Sequence, residues 1–237
     1  MLTFQELDQY PKRSAGDRKR LAFCGPLSSS SANNIAPPWP AAAGTDPVKR
    51  IFAYLKRDYA HLGATLLALA ACGQPVVVFG LGSGSAVTDA RNIAFSQRPV
   101  DVPTAARECA IDICHAGNTT AALLQSGCPL LLLPTQLEQF MVGARAAELG
   151  AAIVINPEEK NPDIAGALAR LLSDAKFADR AAAFSARYSE WSPDRILANV
   201  VGRLTSAALG ELTTVASGKV TTVASGEGTG TARQVKK

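Results

Sequence analysis

From Val48 onward, short apolar runs alternate with helix-patterned segments, and this alternation restricts the fold more than any other feature of the chain. IFAYL, PVVVF, NIAF, AIDIC, PLLLLP and AAIVI read as strands. Between them lie DYAHLGATLLALAAC, a short helix near Thr104 to Cys109, a helix starting at Thr119, and QLEQFMVGARAAEL, with two or three closing helices running to about Leu209. Strands that alternate with helices form parallel sheets joined by crossovers, and runs as continuously apolar as VVVF and LLLL are buried on both sides. The expected class is α/β, a Rossmann-like parallel sheet with helices on both faces.

Three segments follow from this reading. Residues 1–46 hold SSSSANN and the cluster PPWPAAAG with little helical periodicity, so they read as a linker with one short strand, LAFCGP. Residues 47–209 form the Rossmann-like domain. Residues 210–237 contain the near-repeat TTVASGKV and TTVASGEG without an aromatic residue, a composition that predicts disorder. Two such short copies cannot make a solenoid.

Composition excludes several classes. The net charge of +4 divides into +2 for residues 211–237, from four Lys/Arg against two Asp/Glu, and +2 for the first 210. The densest basic run, Lys12 to Arg20, has no interleaved aromatics, so no nucleic-acid partner is expected. The longest mainly apolar stretch, Leu62 to Cys72, falls short of the about 20 residues of a membrane span, and MLTFQELDQYPKR does not read as a secretory leader, so none is expected. Five cysteines without a CxxC pair read as reduced core residues of a soluble, cytoplasmic protein. Zinc held by Cys114, His115 and Cys128 is disfavoured because adjacent residues on a strand point to opposite faces.

Chemistry concentrates between His115 and Gly150. AIDIC ends at His115, and the chain then passes through Gly117, Asn118, Thr119 and Thr120 into the helix AALLQ. Unpaired N–H groups in a first helical turn, together with the helix dipole, suit an anion such as a diphosphate. Gly117 leaves the approach open, the threonines add hydroxyls, and His115 can donate a hydrogen bond or a positive charge. PLLLLP leads into a helix whose first turn carries Glu138 and Gln139, a carboxylate beside a carboxamide that suits sugar hydroxyls; acidic residues are also common in any first turn. Asn118, Thr119 and Thr120 are equally ordinary helix caps, and His61 reads as structural. A competing pattern at Gly80, Gly82 and Gly84 fails the dinucleotide spacing, since Ser85 and Val87 stand where Gly or Ala is needed, and it reads as a flexible loop.

The stretch from His115 to Gly150 resembles the signature of UDP-dependent glycosyltransferases of the GT-B fold, roughly HGGxGTxxEALxxGVPxxxxPxxxDQxxNAxxxxxxGxG. It matches at His115, Gly117, the threonine at the helix start, Gly127 to Pro129, Pro134, Glu138 and Gln139, Ala144 and Gly150. The resemblance covers roughly residues 20–205 and implies the C-terminal, nucleotide-sugar-binding half of such an enzyme. It implies a UDP- or dTDP-sugar as co-substrate, with no cofactor and no metal, and inverting transfer of a hexose to a hydroxyl of a small or lipidic acceptor. His115 and the helix start would hold the diphosphate, Glu138 and Gln139 the donor sugar. RPVDVPTAARECAIDICHAG is similar to the segment framing the base, so Val100 and Val102 would offer backbone groups to uracil. Lys56 is a candidate to add charge near the phosphates, with a solvated lysine as the alternative.

Departures from the pattern carry expectations too. The first Gly is Ala116, the loop-helix segment is one residue shorter, and the family's ribose-gripping Glu falls near Ala122 or Leu123. The acceptor-binding N-terminal domain and its catalytic base have no counterpart here, so either a fragment of a longer enzyme or the product of a gene that has lost its first half is expected, with little turnover, and the helices near Trp191 to Leu209 would pack onto that domain. The alternatives are a non-catalytic binding or interaction module derived from such an enzyme, and a nucleotide-sugar epimerase of similar fold.

Overall fold

The computed structural model describes residues 1–10, 12–14, 16–17, 21–27, 33–41, 49–81 and 90–217, the side chains of 210–217 excepted. Six strands form one sheet: β1 (Ile51–Tyr54), β2 (Val76–Phe79), β3 (Ile93–Ser96), β4 (Ile111–Cys114), β5 (Leu130–Leu132) and β6 (Ala152–Val154). Their order is β3-β2-β1-β4-β5-β6 and every pair is parallel. Strand order therefore reverses between β1 and β4, and the carboxyl ends of these two strands border the crevice where open parallel sheets take ligands.

Seven α-helices are found among the described residues: α1 (Leu62–Ala71), α2 (Val102–Glu108), α3 (Thr119–Gln125), α4 (Leu137–Glu148), α5 (Ile164–Ser173), α6 (Ala175–Arg187) and α7 (Pro193–Ser217). On one face of the sheet, Ile51, Val78, Ile113 and Leu131 pack against Leu66 and Leu69 of α1 and Leu168 and Leu171 of α5. On the other, Cys114, Leu130 and Leu132 meet Leu123 and Leu124 of α3, Ala146 of α4 and Phe184 of α6. Coverage from both sides explains why the strands lack polar alternation. Asp112 breaks the pattern: it sits at 0% exposure between Phe52 and Leu130 in the ladder.

Local chemistry sets the helix starts. Asp101 accepts from the Thr104 N–H at 3.2 Å with Pro103 in the first turn, and Asp163 and Asp174 cap α5 and α6 in the same way.

The first residues differ from the expected linker. Phe4 and Leu7 are each 1% exposed. The Phe4 ring stacks on Tyr188 with centroids 3.9 Å apart and meets Phe184 and Trp191 edge-on. Glu6 pairs with Arg187 at 2.5 Å and accepts from the Tyr188 hydroxyl. Burying one phenylalanine contributes about 2 kcal/mol, so this segment belongs to the core. LAFCGP also forms no strand. Residues 21–27 run without regular structure, tied to the opening residues by the Met1 ammonium donating to the Ala22 carbonyl (2.5 Å) and by Cys24 N–H to Met1 O (3.0 Å) and Gly25 N–H to Thr3 O (3.1 Å). So few bonds make no ladder, and Pro26 contributes no N–H. At the other end, α7 continues to Ser217, into the segment whose composition predicts disorder; residues 218–237 lie outside the described residues. No helix among the described residues is long and apolar enough to cross a membrane.

Candidate functional site

His115 lies where strand order reverses, directly after β4, and is 3% exposed. Its Nε2 accepts from the Lys56 backbone N–H at 2.9 Å, just beyond β1. That contact leaves the proton on Nδ1, which donates to the Leu133 carbonyl at 2.6 Å, just beyond β5. Tyr59 covers the ring edge-on at 5.2 Å. The sequence reading has His115 donating to an anion or carrying positive charge, and in this geometry it does neither: both nitrogens tie together the ends of β1, β4 and β5. Burial holds its pKa below the ordinary 6.5, with the Leu133 carbonyl opposing and the Lys56 ammonium adding.

A pH dependence follows. Because the folded-state value lies below 6.5, the unfolded chain takes up the proton first. The contribution of this residue is whole above 6.5 and is lost as pH falls from there toward the folded-state value. Urea midpoints taken at about pH 7.5 and about pH 5.5 should therefore fall less on acidification in His115→Gln, whose amide can keep both ties without titrating, than in the wild type.

Past His115 the chain turns through Ala116 at φ +53, so the left-handed conformation persists here without a glycine. Its methyl is buried against α3 and β5, which offsets part of the backbone cost. A Cβ built on Gly117 meets nothing within 4 Å, in keeping with an open approach. Asn118 precedes α3 without capping it through its side chain.

Two clefts flank this turn. One, of about 560 Å³, is lined by Gly117, Asn118 and Thr120 on one wall, Gln136, Glu138 and Gln139 on the other, and Met1 to Thr3 at its edge. The second, of about 400 Å³, runs between the start of α2 (Val102, Pro103) and α3 (Asn118, Thr119, Ala122). Asn118 lines both. The fold thus brings together seven of the candidates: Gly117, Asn118, Thr119, Thr120, Val102, Glu138 and Gln139.

Their individual states vary. Thr119 is exposed, whereas Thr120 is 1% exposed and its hydroxyl lies beside the Cys114 thiol without a well-aligned hydrogen bond. Thr120 therefore presents no hydroxyl to the cleft. Glu138 is exposed. Gln139 uses its Oε1 to accept from the Thr135 N–H (2.8 Å) and hydroxyl (3.0 Å), which fixes the start of α4 and leaves its NH₂ as the donor end. Val100 lines neither cleft; its side chain is packed with Phe52, Val77 and Ala105, and it pairs with Ile35 in a parallel bridge whose hydrogen bonds run from Ile35 N–H to Pro99 O (2.9 Å) and from Asp101 N–H to Ile35 O (2.8 Å). Lys56 lines neither cleft and is half-buried. Sequence reasoning missed Met1 to Thr3 at the cleft beside the start of α4. Phe4 and Leu7, apolar residues at i, i+3 spacing, were the available signal. No group of three or more His, Cys, Asp or Glu among the described residues could hold a metal ion.

No family model matches the chain, and no curated protein does either. Solved structures match. The kitacinnamycin glycosyltransferase superposes with a TM-score of 0.64 at 18% identity, covering 85% of this chain and 53% of its own. The fold is that of a glycosyltransferase half. The calicheamicin glycosyltransferase CalG4 agrees at 0.62 and 19% identity, over 87% of this chain and 53% of that one. The glycosyltransferase VinC, solved in complex with dTDP, gives 0.57 and 22%, over 75% and 50%. The chain spans about half the length of the glycosyltransferases it matches.

Proposed function

We propose that this chain is the donor-binding half of a glycosyltransferase that takes a UDP- or dTDP-sugar and passes its hexose, with inversion, to a hydroxyl of a small or lipidic acceptor. The observation that carries the reading is the position of Asn118 between two clefts. A nucleotide sugar is linear, with base, diphosphate and sugar in sequence. The α2 side, with Val102, takes the base, the turn at Gly117 to Thr119 takes the diphosphate, and the α4 side, with Glu138 and Gln139, takes the sugar. Bound dTDP in VinC supports this choice of ligand class.

In the transition state the anomeric carbon gains oxocarbenium character as the diphosphate takes up charge. Backbone N–H groups at Asn118 and Thr119 meet that charge with dipoles already in place. His115 acts as a positioning residue, holding the turn by its two internal hydrogen bonds, and Lys56 adds positive potential beside the β1 end. The hydroxyl of the acceptor is deprotonated by a base on a separate acceptor-binding domain. The chain works in the cytoplasm with its thiols reduced.

Calorimetric and NMR titration with UDP and dTDP is the test. We expect weak binding, reduced about tenfold by His115→Ala and about twofold by Glu138→Ala, measured at a temperature where all three proteins are folded. Equal losses would remove the role division, and neither heat nor chemical-shift change would remove the reading. Purified residues 1–237 should bind donor yet turn over little; steady multiple turnover would contradict the assignment of the base elsewhere.

One observation favours a second reading, a non-catalytic interaction module. Leu197, Val201 and Leu204 lie on one side of α7 and are each more than half exposed. Self-association with no response to UDP would select that reading.

A further inference from the structure

We infer that Cys109 and Cys128 are an oxidisable pair that a peroxide converts into a disulfide joining the starts of β4 and β5. All five cysteines are free, and these two have their sulfurs 3.2 Å apart. Cys109 follows α2 in extended backbone just ahead of β4, and Cys128 stands two residues before β5 begins, so the contact joins the entries to two neighbouring strands. Closing the sulfurs to about 2.05 Å takes little more than 1 Å of movement.

The two thiols differ in access, which orders the steps. Cys109 is half-buried and borders a surface cavity of about 350 Å³ shared with Lys49, Gly127 and Pro129. Cys128 is 2% exposed, and its contact with Cys109 and its burial push its thiol well above the usual range. Cys109 therefore meets the oxidant. Its thiolate attacks one peroxide oxygen, the O–O bond breaks, and hydroxide leaves and is protonated to water, giving a sulfenic acid. The Cys128 sulfur then displaces the hydroxyl from that sulfur: the S–S bond forms, the S–O bond breaks, and the hydroxyl leaves as a second water with the Cys128 proton. Two thiols and one peroxide become a disulfide and two waters.

The closed loop contains β4, the Gly117 turn and α3, so the bond fastens the segment between the two clefts at its base. This inference rests on the sulfur geometry and stands whether or not the chain binds a nucleotide sugar.

The test is hydrogen peroxide treatment of the whole chain, followed by intact mass, peptide mapping without reduction, and thermal unfolding. The expected result is loss of two hydrogens, a Cys109–Cys128 linked peptide, and a Tm raised by about 5 °C that dithiothreitol reverses. Cys109→Ser and Cys128→Ser should each abolish the link and the shift, while Cys114→Ser leaves both. Oxidation of Cys109 to its sulfinic acid without a link, a link to Cys114 instead, or disulfides only between chains would overturn the inference.

Discussion

Gly80→Ala is expected to cost about 3 kcal/mol of stability, from the left-handed backbone and from overpacking together. Gly80 ends β2 at φ +103, and a Cβ there would stand 2.4 Å from the Leu55 carbonyl oxygen and 3.0 Å from the Tyr54 ring. The first contact is with backbone. Leu55 is held in turn by its N–H to the Phe79 carbonyl at 2.9 Å, so it cannot retreat without opening the end of the β1–β2 ladder. Gly63→Ala, on the exposed start of α1 where the added methyl meets nothing within 4 Å, is the matched control and should stabilise by about 0.5 kcal/mol. Urea unfolding of both variants measures the difference. A Gly80→Ala protein with the wild-type midpoint would show that the β1 end yields freely.

Asp112→Val is expected to work in the opposite direction, raising stability at neutral pH by about 2 kcal/mol. Neither carboxylate oxygen has a hydrogen-bond partner, and the neighbours across the sheet are Phe52 and Leu130. Burial raises the carboxyl well above its ordinary 3.8. Since the folded-state value exceeds the unfolded one, the unfolded chain gives up its proton first, and stability drains away as pH rises above 3.8. Valine has no proton to lose and suits a strand buried on both sides. Its advantage over the wild type should therefore grow from pH 4 toward neutrality, as read from urea midpoints across that range. An advantage independent of pH would mean the carboxyl is not what limits the wild type.

The architecture was legible because each strand and each major helix carries its own local signal. VVVF and LLL lie where continuous apolar runs place them, IDIC does so despite Asp112, and the sheet with helices on both faces is the one expected. The resemblance around His115 led to the right half of a glycosyltransferase fold. What sequence could not supply is set by packing between distant residues. Phe4 reaches Tyr188 and Trp191 across most of the chain, so the opening residues look like a linker until those rings are seen around it. His115 carries no mark that its nitrogens answer to Lys56 and Leu133. Thr120 looks like a donor beside Thr119, yet one step along the helix turns its hydroxyl into the core. Gly80 reads as a flexible loop residue and is in fact fixed against Leu55, whereas Gly82 and Gly84 lie outside the described residues.

A single asparagine that forms a wall of both clefts has a consequence for how this scaffold could be re-engineered. Under the proposed function, changes that retune one end of a linear ligand would be coupled to the other, because Asn118 borders both clefts. If the proposed donor binds there, libraries aimed at a new sugar should vary the α2 and α4 starts together, and the best variants should emerge as matched pairs whose members do little alone.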